Sequence, residues 1–117
     1  AALGATLEHN TALRELYIIR CGITAEGCVQ LAAGLTENTT LRVLRMWGNA
    51  VGAEGAEALG KMLQQNNTLQ ELYLSEDKSL GEGVDVLLSS LDMNTTLVEL
   101  WLPKQFHRPS DPRVMWV

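Results

Sequence analysis

Apolar and polar positions along this chain keep to one phrase that alternates in and out, then give way to a helical spacing, and then start again. The phrases are Leu13-Arg-Glu-Leu16-Tyr-Ile18, Leu41-Arg-Val-Leu44-Arg-Met46, Leu69-Gln-Glu-Leu72-Tyr-Leu74 and Leu97-Val-Glu-Leu100-Trp-Leu102. Their opening leucines stand 28 residues apart each time. The inner part of each phrase has the period of two expected of a half-buried strand. A fixed period of this length predicts a stack of similar units, since a short strand and one helix cannot bury their apolar sides alone.

Residues 41–68 serve as the reference unit. After the strand phrase come Asn49 and Val51, and then a helix predicted over about 53–65. Ala56, Leu59 and Leu63 give that helix one apolar stripe, matched by Cys28, Leu31 and Leu35 before it and by Val84, Leu87 and Leu91 after it. Each helix opens on Glu-Gly (Glu26-Gly27, Glu54-Gly55, Glu82-Gly83). The glutamate complements the helix dipole, and the glycine permits a tight turn or close backbone packing. Each helix closes on asparagine (Asn10, Asn38, Asn66, Asn94), which predicts a left-handed cap. Three of these asparagines also read as N-x-T glycosylation acceptors. Asn10 keeps the asparagine without the acceptor threonine, so the repeat itself explains the recurrence.

The pattern L-x-x-L-x-L-x-x-N-x-V resembles the leucine-rich-repeat signature. The expected fold is therefore α/β, a right-handed leucine-rich-repeat solenoid with a parallel β-sheet on the concave side and α-helices on the convex side. The expected organisation is a half repeat at 1–12, repeats at 13–40, 41–68 and 69–96, and a final strand at 97–102. Because the chain opens partway through a repeat, it is expected to be a piece of something longer.

Two breaks stand out. In the third repeat Asp77 takes the asparagine position and Ser79 the next apolar one, with Leu80 displaced by one, so a reshaped loop is expected at 75–81. After Leu102 all three prolines of the chain follow within fifteen residues, so no further complete repeat is expected. Residues 103–117 are either a cap, with Val114-Met-Trp116-Val117 covering the end of the stack, or a tail.

Charge and composition mainly exclude. A net charge of −5 argues against nucleic acid or an anionic membrane as a partner. His9 and His107 are isolated, and no H-E-x-x-H, C-x-x-C, G-x-S-x-G or phosphate-loop motif occurs. The reading is therefore no enzyme, no cofactor, no metal and no small-molecule substrate. Cys21 and Cys28 are expected to be reduced structural thiols, Cys21 serving buried loop backbone and Cys28 the helix core.

More narrowly, Gly52-Ala-Glu-Gly55-Ala-Glu-Ala-Leu59 and Glu37-Asn-Thr-Thr-Leu41 resemble repeats of the ribonuclease-inhibitor-like class, above all those at the C-terminus of NOD-like receptors. The resemblance covers residues 1–102. It implies a cytoplasmic setting in innate immunity and a sensing or autoinhibitory role. Ran GTPase-activating proteins share the repeat class, which leaves a GTPase-regulating module as an alternative and a structural scaffold as another.

The candidate site is the sheet surface. The outward residue of each strand forms a column of Tyr17, Arg45, Tyr73 and Trp101. Beside it run Glu15, Val43, Glu71 and Glu99 on one flank and Ile19, Trp47, Ser75 and Pro103 on the other. Four of the six aromatics thus stand where no core requires them, and Tyr, Trp and Arg are the types enriched in binding hot spots. The expected partner-binding residues are Tyr17, Arg45, Trp47, Tyr73, Trp101, Glu15, Glu71 and Glu99. The expected partner is another protein or another domain of the same chain, with some positive charge. Packing between neighbouring aromatics is the competing and compatible reason for the column.

Overall fold

The structure, a computed structural model, describes residues 2–117. Four helices alternate with strands in the order α1 (Ala2–His9), β1 (Glu15–Tyr17), α2 (Ala25–Glu37), β2 (Val43–Arg45), α3 (Gly52–Leu63), β3 (Glu71–Tyr73), α4 (Gly83–Ser90) and β4 (Glu99–Leu102). A short 3-10 turn at Lys104–Phe106 and a last strand, β5 (Val114–Trp116), follow. All five strands form one parallel sheet in chain order. Its register steps by one repeat: Leu16, Leu44, Leu72 and Leu100 lie side by side, and so do Tyr17, Arg45, Tyr73 and Trp101.

The core is a slab between sheet and helices. Leu41, Leu44, Leu59, Leu72, Leu74, Leu87, Leu100 and Leu102 are fully buried in it, each worth about 1.5–3 kcal/mol relative to exposure. The first strand is the exception. Leu13 is 37% exposed and Leu16 and Ile18 are only partly buried, because no strand lies on the outer side of β1 among the described residues. Close packing explains two of the helix-opening glycines, whereas a Cβ at Gly27 would meet only Ile23, at an ordinary 3.7 Å. A Cβ at Gly55 would press on Cys28 and Val51, and one at Gly83 would overlap Ala53 and Ala56 of α3.

The asparagines at the helix-to-strand turns do not act as left-handed caps. Asn38 is extended (φ −78°, ψ 134°), and the non-glycine residues with positive φ among those described are Arg20 and Glu76. The side chain turns inward instead. Asn38 Oδ1 accepts from the amides of Thr40 (3.0 Å) and Leu41 (2.8 Å), and its Nδ2 donates to the carbonyls of Leu7 (2.7 Å) and Asn10 (3.2 Å) one repeat earlier. Asn66 and Asn94 repeat the arrangement. Buried backbone groups require partners, and one amide side chain serves four of them at each turn. With every Nδ2 engaged and every side chain buried, the three N-x-T sequences are architectural.

Residues 103–117 end the stack with a different residue in the same role. The Arg113 guanidinium donates to the carbonyls of Leu91 (2.7 Å) and Asn94 (2.7 Å), the groups a next asparagine would have reached. Asp111 holds it through Nε (2.9 Å) and a terminal nitrogen (2.8 Å). Those hydrogen bonds lower the Asp111 carboxyl to about 2. Val114 of β5 is buried, and an ion pair from Arg108 to Asp85 ties the segment to α4.

The loop at 75–81 differs from its neighbours as its residues dictate. Asp77 is buried and accepts from the amides of Val51 (3.0 Å) and Ser79 (2.9 Å), while Leu80 fills the core. One repeat earlier Asn49 accepts from Cys21 and Ile23 and donates to Ile18 and Met46. Cys21, expected to serve buried backbone, is exposed, and its thiol reaches only Ile19 O at 3.3 Å. It stands in the first such turn, where no earlier loop lies beneath it among the described residues.

Candidate functional site

The sheet face carries a continuous stack. The Arg45 guanidinium lies between two rings, 4.7 Å from the centroid of Tyr17 and 5.0 Å from that of Tyr73. Tyr73 then stacks on Trp101 at 5.3 Å with ring planes 10° apart. Strand spacing near 4.8 Å sets this distance, and the parallel register puts the rings opposite one another. Trp47, two residues past Arg45, meets Tyr73 from the flank at 5.7 Å and 57°.

The glutamate column is tied to the aromatics. The Tyr17 hydroxyl donates to Glu15 (2.6 Å), the Tyr73 hydroxyl to Glu71 (2.7 Å) and the Trp101 indole to Glu99 (2.7 Å). Each pair is two residues apart on one strand, so both side chains leave the same face. The bonds orient the rings and use one carboxylate oxygen of each glutamate. The Glu15 bond raises the Tyr17 hydroxyl above its ordinary value. Burial first, and then the Glu71 bond, push Tyr73 up to about 12.

Arg45 breaks the scheme. Val43 occupies the place where the other strands carry glutamate, and Arg45 Nε is buried without a hydrogen-bond partner. The rings compensate the charge in part, since cations over aromatic faces are attracted by about 0.5–2 kcal/mol.

Beside the stack lies an open cavity of about 310 Å³ lined by Trp47, Tyr73, Ser75, Glu76, Trp101 and Val117. Glu76 is held there by Arg20, whose guanidinium meets both carboxylate oxygens (2.7 and 2.9 Å) across two repeats. The two residues share the left-handed turn after the strand, with φ of 49° and 62°, and Gly48 has the same position between them at φ 77°. Arg20 passes directly over Gly48, where a Cβ would overlap its Cγ.

The structure thus brings Tyr17, Arg45, Trp47, Tyr73, Trp101, Glu15, Glu71 and Glu99 to one face. Of the outer column, Trp47 and Ser75 line the cavity, but Pro103 is buried, because the chain turns there toward β5. The Arg20–Glu76 pair has no signal in the sequence pattern, as nothing in the repeat phrase marks two charged residues for positive φ.

Cys28 is buried, and burial, with Asp77 adding to it, pushes its thiol up to about 12. Among the described residues no three His, Cys, Asp or Glu side chains are grouped to hold a metal, and no helix is long and apolar enough to cross a membrane.

Comparison with known proteins agrees with the architecture. The family described as "Leucine Rich repeat" matches residues 9–32 and 37–60. No curated protein matches by sequence. Among solved structures, "Leiomodin-1 Actin-Binding Site 2 (ABS2)" superposes with a TM-score of 0.80 at 23% identity, over 86% of this chain and 60% of that one. The present chain therefore spans about three-fifths of that structure's length, and the likeness is one of fold. Sequence period, parallel register and the superposition give the chain a leucine-rich-repeat-like solenoid fold, with the family match confined to less than half of its length.

Proposed function

We propose that this domain is a non-catalytic protein-interaction module whose recognition surface is the sheet wall, centred on Tyr17, Arg45, Trp47, Tyr73 and Trp101 and flanked by Glu15, Glu71 and Glu99. The observation that carries the reading is the stack itself. Three large rings and a guanidinium stand on the face opposite the core, with Tyr17 still 49% exposed. Rigid, pre-oriented aromatics lose little freedom on binding, which favours them as anchors.

The partner is a protein or another domain of the same chain. The Gly52–Leu59 and Glu37–Leu41 phrases support a finer reading, in which the domain is the recognition or autoinhibitory part of a larger cytoplasmic protein similar to NOD-like receptors. The test compares capture of partners by the native domain and by a Tyr17/Tyr73/Trp101 triple alanine variant, both shown folded by circular dichroism. Purified actin is included as one probe, because the leiomodin structure that shares this fold is an actin-binding site. A partner held by the native wall and lost by the variant is the expected result. Equal capture by both moves recognition to another surface and removes the proposal.

A further inference from the structure

We propose that the cavity between Trp47, Tyr73 and Trp101 receives an arginine side chain of the partner, with Glu76 as its counter-charge. This rests on the sheet wall being the recognition surface. The wall already shows how it takes a guanidinium, because Arg45 lies between the Tyr17 and Tyr73 rings at 4.7 and 5.0 Å. One step along, Trp47, Tyr73 and Trp101 border an open cavity of about 310 Å³, with Trp47 tilted 57° to Tyr73, whose own faces are taken by Arg45 and Trp101. A planar, weakly hydrated guanidinium matches such a cleft, whereas a lysine ammonium is a compact, strongly hydrated charge.

Charge points the same way. Glu76 borders the cavity, while Glu71 and Glu99, each with one carboxylate oxygen not used by its ring, stand on the other flank of the aromatic column. A carboxylate beside aromatic faces favours a cation and disfavours an anion. Arg20 meets both Glu76 oxygens through one terminal nitrogen, and a second guanidinium would share that carboxylate with it.

The probe is acetyl-Gly-Arg-Gly-amide, with lysine and neutral citrulline versions, titrated into the full chain. The indole N–H resonances of Trp47 and Trp101 are followed, and that of Trp116 is the internal control. The arginine peptide is expected to move Trp47 and Trp101 saturably and leave Trp116 in place, with citrulline binding about two- to fivefold more weakly or not at all. Glu76→Gln should weaken binding by a similar factor. Arg20→Gln, which breaks the same ion pair but frees the carboxylate, should leave binding equal or tighter. A structural effect of losing the pair would move both variants together, and that result overturns the role of Glu76. Equal binding of citrulline or lysine overturns the guanidinium assignment. Loss of the partner by the triple alanine variant, with indoles unmoved by the peptide, sinks the cavity proposal and leaves the wall reading standing. Peptide binding alongside unchanged partner capture removes the wall reading, and the assignment of the arginine to the partner falls with it.

Discussion

Two ladders with the same 28-residue step run through this protein, and they are built on opposite rules. At the helix-to-strand turns Asn38, Asn66 and Asn94 are identical, buried, and use donors and acceptors in the same four hydrogen bonds. On the sheet face Tyr17, Arg45, Tyr73 and Trp101 are different in kind, partly exposed, and include an unpaired donor. The inner ladder answers the same backbone demand at every step, so one side chain solves it each time. The outer ladder has no such demand and is free to vary toward a partner. Identity with saturation marks architecture, and variety with open capacity is what the proposed recognition surface requires.

The sharpest way to break this contrast is to damage the inner ladder at its centre. Asn66→Ala removes the acceptor of the Thr68 and Leu69 amides and one of the donors to the carbonyls of Leu35 and Asn38 in a buried turn. We expect a loss of about 2–4 kcal/mol in urea unfolding, since each unsatisfied buried group carries a desolvation penalty. Asn10→Ala, where Oδ1 serves Ala12 and Leu13 in an exposed turn, should cost about 0.5–1 kcal/mol. Equal costs at the two positions would mean that the ladder is not a cooperative unit.

Arg113 tests whether function in the ladder follows geometry rather than residue type. Arg113→Met keeps bulk but removes the bonds to Leu91 and Asn94, and should cost about 1–3 kcal/mol. Hydrogen exchange at the amide of Val117, which pairs with Leu102, should accelerate before that of the central strands. The same pair sets an acid dependence. The Asp111 carboxyl is lowered from 3.8 to about 2, so its contribution is fully present above pH 4 and disappears as pH falls toward 2. Its partial exposure keeps that contribution small. The native-minus-Arg113→Met difference in stability should therefore shrink as pH falls from 4 toward 2.

The outer ladder should respond differently. Tyr73→Ala removes the stack on Trp101 and the ring beneath Arg45, for about 1 kcal/mol of stability, while partner capture should fall at least tenfold, as for an interface hot spot. Stability lost without loss of capture would make the stack a packing device only.

Much of this contrast is legible in the chain. A strict period places Tyr17, Arg45, Tyr73 and Trp101 in one column, because parallel strands of identical repeats pair in register. Asparagine recurrence marks the inner ladder but does not give its conformation. A left-handed cap and an extended residue with an inward amide both favour asparagine, and only the neighbouring repeat decides between them. Arg113 escapes the pattern because it lies 19 residues after Asn94, outside the period, and carries a different functional group. The Arg20–Glu76 strap escapes it because it joins repeats two apart over Gly48, a contact that single-repeat patterns do not encode.

The smallest expected effect addresses the buried donor on the wall that lacks a partner among the described residues. Tyr17, Tyr73 and Trp101 each bond a glutamate two residues back, whereas Arg45 has Val43 there and a buried Nε with no acceptor. Val43→Gln supplies a neutral acceptor at that place without adding a third charge between Glu15 and Glu71, its partners across the sheet. Pairing the donor should raise stability by about 0.5–1 kcal/mol, and because Nε is shielded from solvent, partner capture should not change. A gain in stability with capture intact would show that the wall tolerates an unpaired donor that binding does not use. A gain accompanied by weaker capture would show that Arg45 must stay free to move, so that the missing glutamate is itself part of the recognition surface.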